Sequence, residues 1–349
     1  MSDAYTLDDP RIKPVPLQQY PWSPLPQAKS KDRIVKVSII PTATLSAPVK
    51  VFSAFAKGDE KEDSPCWSFL IEKGDDAILW DMGLRQDPQN APKKIVDGPL
   101  KEFVPHTGPG PIARLRKHGY DLGKLGLVVF SHQHFDRPDS LESMQPGFPE
   151  DVNSAWPSDW LKNYHFVELP DENDKGVWTG EIAELSPKDQ SDHRRRWEKI
   201  GCFDRGVDWF GDGSLWFLDA PGHCPGHIMA LCRVSAQPDT YVLLGGDASH
   251  HQALYLPVPE DGVDLRSPIP VIDGKPQLAI DPKLATYTIG QMTRMSAEDN
   301  VMVILAHEGQ VEGIVDLYPG DLSGWMSKGW KEAKERGVEE DATARQNQK

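Results

Sequence analysis

Apolar residues in this chain gather in short continuous runs, the pattern of strands buried on both faces. Ile34 to Leu45 reads as a strand. Cys66 to Glu72 and Ala77 to Asp81 read as a hairpin turning at Gly74-Asp75-Asp76. A Pro-rich loop spans Arg85 to Pro111, Ile112 to His118 has helical spacing and stops at Gly119, and Leu125 to Phe130 is an unbroken apolar strand. A second strand-rich block opens with Val207 to Phe210 and Leu215 to Leu218, which flank the turn signal Gly211-Asp212-Gly213. Ile228 to Val234, Tyr241 to Gly245 and Val301 to Leu305 continue it, with helical spacing over Pro282 to Met295 and Leu322 to Arg336. Two strand-rich blocks of similar size predict an α/β fold: two mixed β-sheets packed face to face with helices outside, an αββα sandwich. No clean linker divides it. The expected organisation is a Pro-rich arm over 1–30, one catalytic domain over 31–337, and a polar tail over 338–349 that frays. Tyr20 and Trp22 can pin the arm to the body.

Charge narrows the partners. A formal net charge of −15 over 349 residues argues against nucleic acid, whose phosphates need a basic footprint. The dense basic run Arg194-Arg195-Arg196 is interleaved with Asp189, Asp192 and Glu198 and reads as a solvated helix face. No apolar run approaches the roughly 20 residues of a membrane helix, so no membrane partner is expected. The acidic N-terminus has no secretory pattern. Cys66, Cys202, Cys224 and Cys232 form no Cys-x-x-Cys pair and read as reduced thiols of a cytoplasmic protein.

Four segments place a His or Asp directly after a buried strand. Leu127 to Ser131 leads into His132-Gln-His134-Phe-Asp136, and Leu215 to Ala220 leads into Pro221-Gly222-His223. Val242 to Gly246 leads into Asp247, and Val303 to Ala306 leads into His307. Rigid scaffolds present functional side chains at strand ends. Imidazole and carboxylate together suit zinc and similar divalent ions. A lone His at a strand end is an ordinary loop residue, but a His-x-His pair with three further strand-end donors points to one shared metal site.

These motifs resemble the metallo-β-lactamase superfamily. Ser131-His-Gln-His-Phe-Asp136 is similar to its HxHxDH signature, and Pro221-Gly-His-Cys-Pro-Gly-His227 to its second histidine motif. Gly245-Gly-Asp247 resembles the bridging-aspartate motif and Ala306-His307 the last histidine. Leu79-Trp-Asp81-Met-Gly83 matches the turn that supports the site in that family. The resemblance runs from about Ile34 to Lys334 and, within the superfamily, is strongest to the lactonase branch, including N-acyl homoserine lactone lactonases and fungal relatives. It implies the metallo-β-lactamase-type sandwich and one or two Zn2+ ions. His132, His134 and His223 would hold the first ion, Asp136 and His307 the second, and Asp247 would bridge them. His227 is left out of the ligand set. Where the lactonases carry a tyrosine that touches the substrate carbonyl, this chain has His250, which would donate to the developing oxyanion.

One position departs from the signature. Its final histidine is replaced by Arg137, and a guanidinium has no lone pair for a cation. Three outcomes stay open: a weakened second ion, a single ion with Arg137 paired to Asp136 or to a substrate carboxylate, or loss of hydrolysis. The resemblance implies a metal-dependent hydrolase that opens a lactone or lactam by attack of metal-bound hydroxide on the carbonyl, with Asp136 orienting the nucleophile and moving its proton. Its expected partner is a small-molecule substrate, bound by Arg137 and His250. A thioesterase or glyoxalase-II-like hydrolase uses the same centre, and a non-catalytic metal-binding protein is the alternative that Arg137 keeps open. Phe135, Trp156, Trp160, Trp178 and Trp209 are read mainly as core, with some left to line an apolar pocket. The oligomeric state is open, and a homodimer is compatible with the sequence.

Overall fold

The computed structural model describes residues 4–56, 58–91, 93–132, 167, 169, 195–258 and 264–346. Two sheets stack face to face. The first has five strands: β1 (Lys36–Pro48), β2 (Lys61–Lys73), β3 (Asp76–Trp80), β4 (Val104–Thr107) and β5 (Leu125–Val129), in the order β4-β1-β2-β3-β5. The second has six: β6 (Glu198–Ile200), β7 (Phe203–Asp208), β8 (Leu215–Asp219), β9 (Ile228–Ala236), β10 (Asp239–Gly246) and β13 (Val301–Leu305), in the order β13-β10-β9-β8-β7-β6. A small two-stranded ribbon, β11 (Val271–Ile272) with β12 (Lys275–Pro276), stands apart. Both large sheets are mixed, because β3 runs parallel to β5 and β10 parallel to β13.

Most of the continuous apolar runs are explained by burial on both faces, whereas β5, expected as a buried strand, lies at the sheet edge with Val128 40% exposed. On β9, Ala230, Cys232 and Val234 point into the inter-sheet core, while Met229 and Leu231 point to the outer layer. The first sheet contributes Val37, Ile39, Trp67, Phe69, Ile71, Ile78 and Trp80 to that core. Outside, α3 (Pro111–Lys117) packs Leu115 on Ile40, Leu70 and Leu79 of the first sheet. The helix α4 (Pro282–Ser296) covers the second with Ala285, Ile289, Met292 and Met295. Asp281 caps α4 by accepting from the Leu284 N–H at 3.0 Å, with Pro282 at the first helical position. Trp67 joins the sheets at one end: its backbone N–H donates to Ala306 and its indole N–H to Glu308, both at 3.0 Å.

Three expectations change. The 85–111 loop contains two single-turn helices, α1 (Lys93–Asp97) and α2 (Pro99–Glu102), as well as edge strand β4. The last helix, α5, spans Trp330–Gln346 rather than Leu322 to Arg336. Gly329 takes a left-handed φ of 65° just ahead of it, whereas Gly337 has no positive φ and the helix runs through it. Val338 and Ala342, beyond Gly337, are buried on α5, so the chain is packed at those positions instead of frayed. At the described end of the basic run the chain is not helical, and although Arg196 is exposed, Arg195 is not solvated. Among its described residues, Arg195 is 3% exposed, stacks 3.8 Å over the Trp209 ring and donates to the Trp209 carbonyl. Trp209 itself packs on Phe217 in the core. Among the described residues, no helix is long and apolar enough to cross a membrane.

The Pro-rich segment is held at several points, among them Asp239 at the Ala28 N–H, Arg266 at the Val15 carbonyl and Arg233. Arg233 on β9 is fully buried and donates to the carbonyls of Pro26 and Arg33 and to the Tyr241 hydroxyl, which itself donates to Pro26. Arg233→Met takes this donor from the part-buried Arg33 carbonyl and leaves the Pro26 carbonyl with the Tyr241 hydroxyl in place of two donors. We expect a loss of about 1–3 kcal/mol in urea unfolding and faster proteolysis within residues 1–30. An unchanged midpoint with an equally protected arm would contradict this role.

Candidate metal centre

Strands β3, β5, β8, β10 and β13 end at one rim of the sandwich. The parallel pairs put the ends of β3 with β5, and β10 with β13, side by side. β8 runs antiparallel to β9, and β9 to β10, so β8 ends there too. This rim gathers His132, His223, Asp247, His250 and His307.

Asp247 sits at the middle, 2% exposed. Its Oδ2 faces His132 Nε2 at 3.6 Å, His223 Nε2 at 3.9 Å and His250 Nε2 at 3.3 Å. Its Oδ1 faces His307 Nε2 at 3.5 Å. One donor atom each from His132, His223 and Asp247 lie within 4.8 Å of one another. The carboxylate therefore presents its two oxygens to two groups of imidazoles.

The imidazoles are oriented from behind. His223 Nδ1–H donates to the Leu278 carbonyl at 2.8 Å, and His307 Nδ1–H to the Pro65 carbonyl at 3.0 Å. His132 Nδ1 lies 2.9 Å from the Ser131 hydroxyl. The carbonyl acceptors make Nδ1 the protonated nitrogen of His223 and His307 and leave the Nε2 lone pair toward Asp247; the Ser131 hydroxyl can donate or accept at His132, whose Nε2 also faces Asp247. His227 is arranged differently. Its Nε2 accepts from the Asp247 N–H at 3.0 Å and its Nδ1–H donates to Ala220 at 3.1 Å. Both nitrogens are used, so His227 aims the aspartate and has no lone pair left for a cation. Gly246 makes this possible: it has φ 54°, and a Cβ there would lie 2.7 Å from His227 Nε2. Gly222, with φ 123°, lets the His223 turn meet the start of α4, where a Cβ would fall 2.2 Å from the Ala285 nitrogen.

Two buried acids support the rim. Asp81 has φ 56° and accepts from the Ser131 N–H at 2.8 Å, fixing the end of β5 next to His132. Burial pushes its pKa up to about 7, against the opposing hydrogen bonds from Ser131, and the Asp247 charge adds to the rise. Burial disfavours the charged form of His307, but Asp247 and Cys66 outweigh it and hold its pKa well above the usual histidine value. Glu308, the next residue, is clamped by Lys334 Nζ at 2.8 Å, Tyr255 Oη at 3.2 Å, the Leu305 N–H at 3.0 Å and the Gln252 amide. Lys334 comes from α5 and is as buried as its partner. Sequence reasoning missed this clamp, since no local pattern links Glu308 to a lysine 26 residues away. It also missed Cys66, whose sulfur lies 3.5 Å from His307 Nδ1.

His134, Asp136 and Arg137 lie outside the described residues, as do Phe135, Trp156, Trp160 and Trp178. Among the expected residues within them, His132, His223, Asp247, His250 and His307 come together on the rim. Beside His250 and His307, an apolar recess is lined by Leu45, Phe52, Phe103 and Leu278, with Ser64 as a polar member.

Relatives place this rim in a family. The chain is 30% identical over 339 residues to gamma-lactamase FDB1 of Fusarium pseudograminearum, covering 85% of this chain and 77% of that one. It is also 30% identical over 297 residues to metallo-hydrolase mfmC of Annulohypoxylon moriforme, covering 75% of this chain and 74% of the relative. The chain belongs to the metallo-β-lactamase superfamily. It spans 36% of a longer member, cytochrome P450 monooxygenase mpaDE' of Penicillium brevicompactum, with 31% identity over 84% of this chain. The fold of the superfamily recurs in a solved N-acyl homoserine lactone hydrolase with its product N-hexanoyl-L-homoserine at the catalytic metal centre. That match has a TM-score of 0.51 and 18% identity and covers 82% of this chain and 99% of the other. A Bacillus thuringiensis structure with N-decanoyl-L-homoserine bound at the active site matches with a TM-score of 0.50 and 17% identity, over 82% and 99% of the two chains. No family model matches the chain.

The clamp generates a prediction. Lys334→Met leaves Glu308 as a buried carboxylate without its cation and should cost about 3–5 kcal/mol in chemical unfolding. The double variant Glu308→Gln with Lys334→Met should recover part of that loss. A single variant as stable as the parent would mean the pair is not coupled.

Proposed function

We propose that this chain is a metal-dependent hydrolase that opens a cyclic ester or amide of a small-molecule substrate. The observation that carries the reading is Asp247, buried and ringed by His132, His223, His250 and His307 at the strand ends. The names of the relatives, gamma-lactamase among them, support it. The donor set fits a divalent cation: imidazoles with Nε2 turned inward around a carboxylate are the ligand types of zinc, and Zn2+ is the ion we propose. Such an ion polarises a carbonyl and brings the pKa of water to around 7.

The chain's own residues then have separate tasks. His132, His134 and His223 would hold one ion, Asp136 and His307 a second, with Asp247 between them. Arg137, where the signature has histidine, would leave the second position weaker and offer its charge to an acidic group on the substrate. Asp136 would orient the attacking water and pass its proton to the leaving oxygen or nitrogen. The recess of Leu45, Phe52, Phe103 and Leu278 would receive the apolar part of the substrate. The described cysteines are buried thiols outside any disulfide, which fits the cytoplasmic location we propose.

The test has two arms. Metal analysis of the purified chain should return between one and two equivalents of a divalent ion, and a panel of lactones, lactams and thioesters should show turnover on a cyclic ester or amide. His132→Ala and Asp247→Asn should lower that turnover on the order of 10³-fold with the circular dichroism spectrum retained. Metal binding without turnover on the whole panel, or undiminished turnover in both variants, would sink the reading.

A further inference from the structure

We propose that His250 is itself a metal ligand, its Nε2 sharing an ion with Asp247 Oδ2. This rests on the cluster being a metal centre and adds a donor that the motif resemblance does not assign to metal.

His250 lies three residues after Asp247, and the turn beyond β10 brings its ring back over the carboxylate. The side chain is only 7% exposed. Its Nε2 is buried and has no hydrogen-bond partner among the described residues, although Asp247 Oδ2 is 3.3 Å away. Leaving a polar nitrogen buried and unpaired is costly, so such an atom calls for an explanation. A hydrogen bond requires the N–H to point along the line to the oxygen, and here it does not. Two donors on one ion behave differently, because both point at a third place between them. Donors about 2.0–2.2 Å from a tetrahedral zinc are about 3.3–3.6 Å from each other. The 3.3 Å separation falls in that range, as do the 3.6 Å from His132 to the same oxygen and the 3.5 Å from His307 to Asp247 Oδ1.

The ring is also held for this purpose. Phe52 stacks on it at 6.3 Å with 13° between planes, and His307 lies parallel to it at 6.3 Å and 11°. His223 packs at 4.8 Å. The alternative role, donating to a substrate oxyanion, needs Nε2–H to reach a substrate atom, and a nitrogen sealed against a buried carboxylate does not offer it. With His250 as a donor, the centre regains a nitrogen ligand in the chain that carries Arg137 at the signature position.

The experiment compares the full-length chain with His250→Ala and His250→Gln. Each is stripped by chelator, checked by circular dichroism and titrated with Zn2+ against a competing indicator and with Co2+ by visible absorption. The expected result is a fall in Zn2+ affinity of roughly tenfold or more in the folded variants, with a changed Co2+ ligand-field spectrum. Parent-like affinity and spectrum in either folded variant, even with altered kcat or KM, would overturn the assignment and return His250 to the substrate side. A parent chain that binds neither ion would overturn the metal centre as well, which separates the two failures.

Discussion

A buried carboxylate surrounded by histidines is the constraint around which this molecule is arranged. Taking Asp247 out of water is unfavourable unless something positive or hydrogen-bonding compensates it. The His227 acceptor at the Asp247 N–H fixes where the side chain leaves the strand. The compensation for the carboxylate comes from the imidazoles around it. They belong to strands distant in sequence, so the carboxylate acts as the point where both sheets must agree. Trp67 strengthens that agreement, because its two donated hydrogen bonds tie β2 to the segment that carries His307.

The sheets were legible in the sequence because their strands are buried on both sides. Such strands write themselves as unbroken apolar runs, as β9 and β13 do. The hairpin between β2 and β3 was legible for a second reason: Gly74 takes φ 59°, a conformation that marks a turn. His132, His223, Asp247 and His307 were legible because each follows an apolar run, although the run before His132 is a half-exposed edge strand, and His250 was legible from the resemblance. Of the expected set, His132, His223, Asp247, His250 and His307 meet in space. The roles of His134, Asp136 and Arg137 rest on the motif.

What sequence reading missed depends on contacts between distant segments. Single-turn elements such as α1 and α2 carry too few residues for a periodic signal, and packing at Phe103 and Ile95 stabilises that region. Arg195 sits among acids in sequence, which suggests a wet helix, yet it covers the face of Trp209, just past the end of β7 and 14 residues away. Gly337 reads as a helix stop, but a glycine ends a helix only where the chain turns left-handed, and here it does not. Glu308 and Lys334 are each ordinary residues locally and become a buried pair only in the fold.

That pair also bears on the order in which the protein is made. Glu308 and His307 are synthesised before Lys334, with 26 residues between the carboxylate and its ammonium partner. At ordinary translation speeds the delay is roughly 1–5 seconds. During it, the last strand can pair with β10, but the carboxylate beside His307 must stay in water. The centre is thus finished from the back, when α5 arrives and closes over a rim whose front was laid down much earlier.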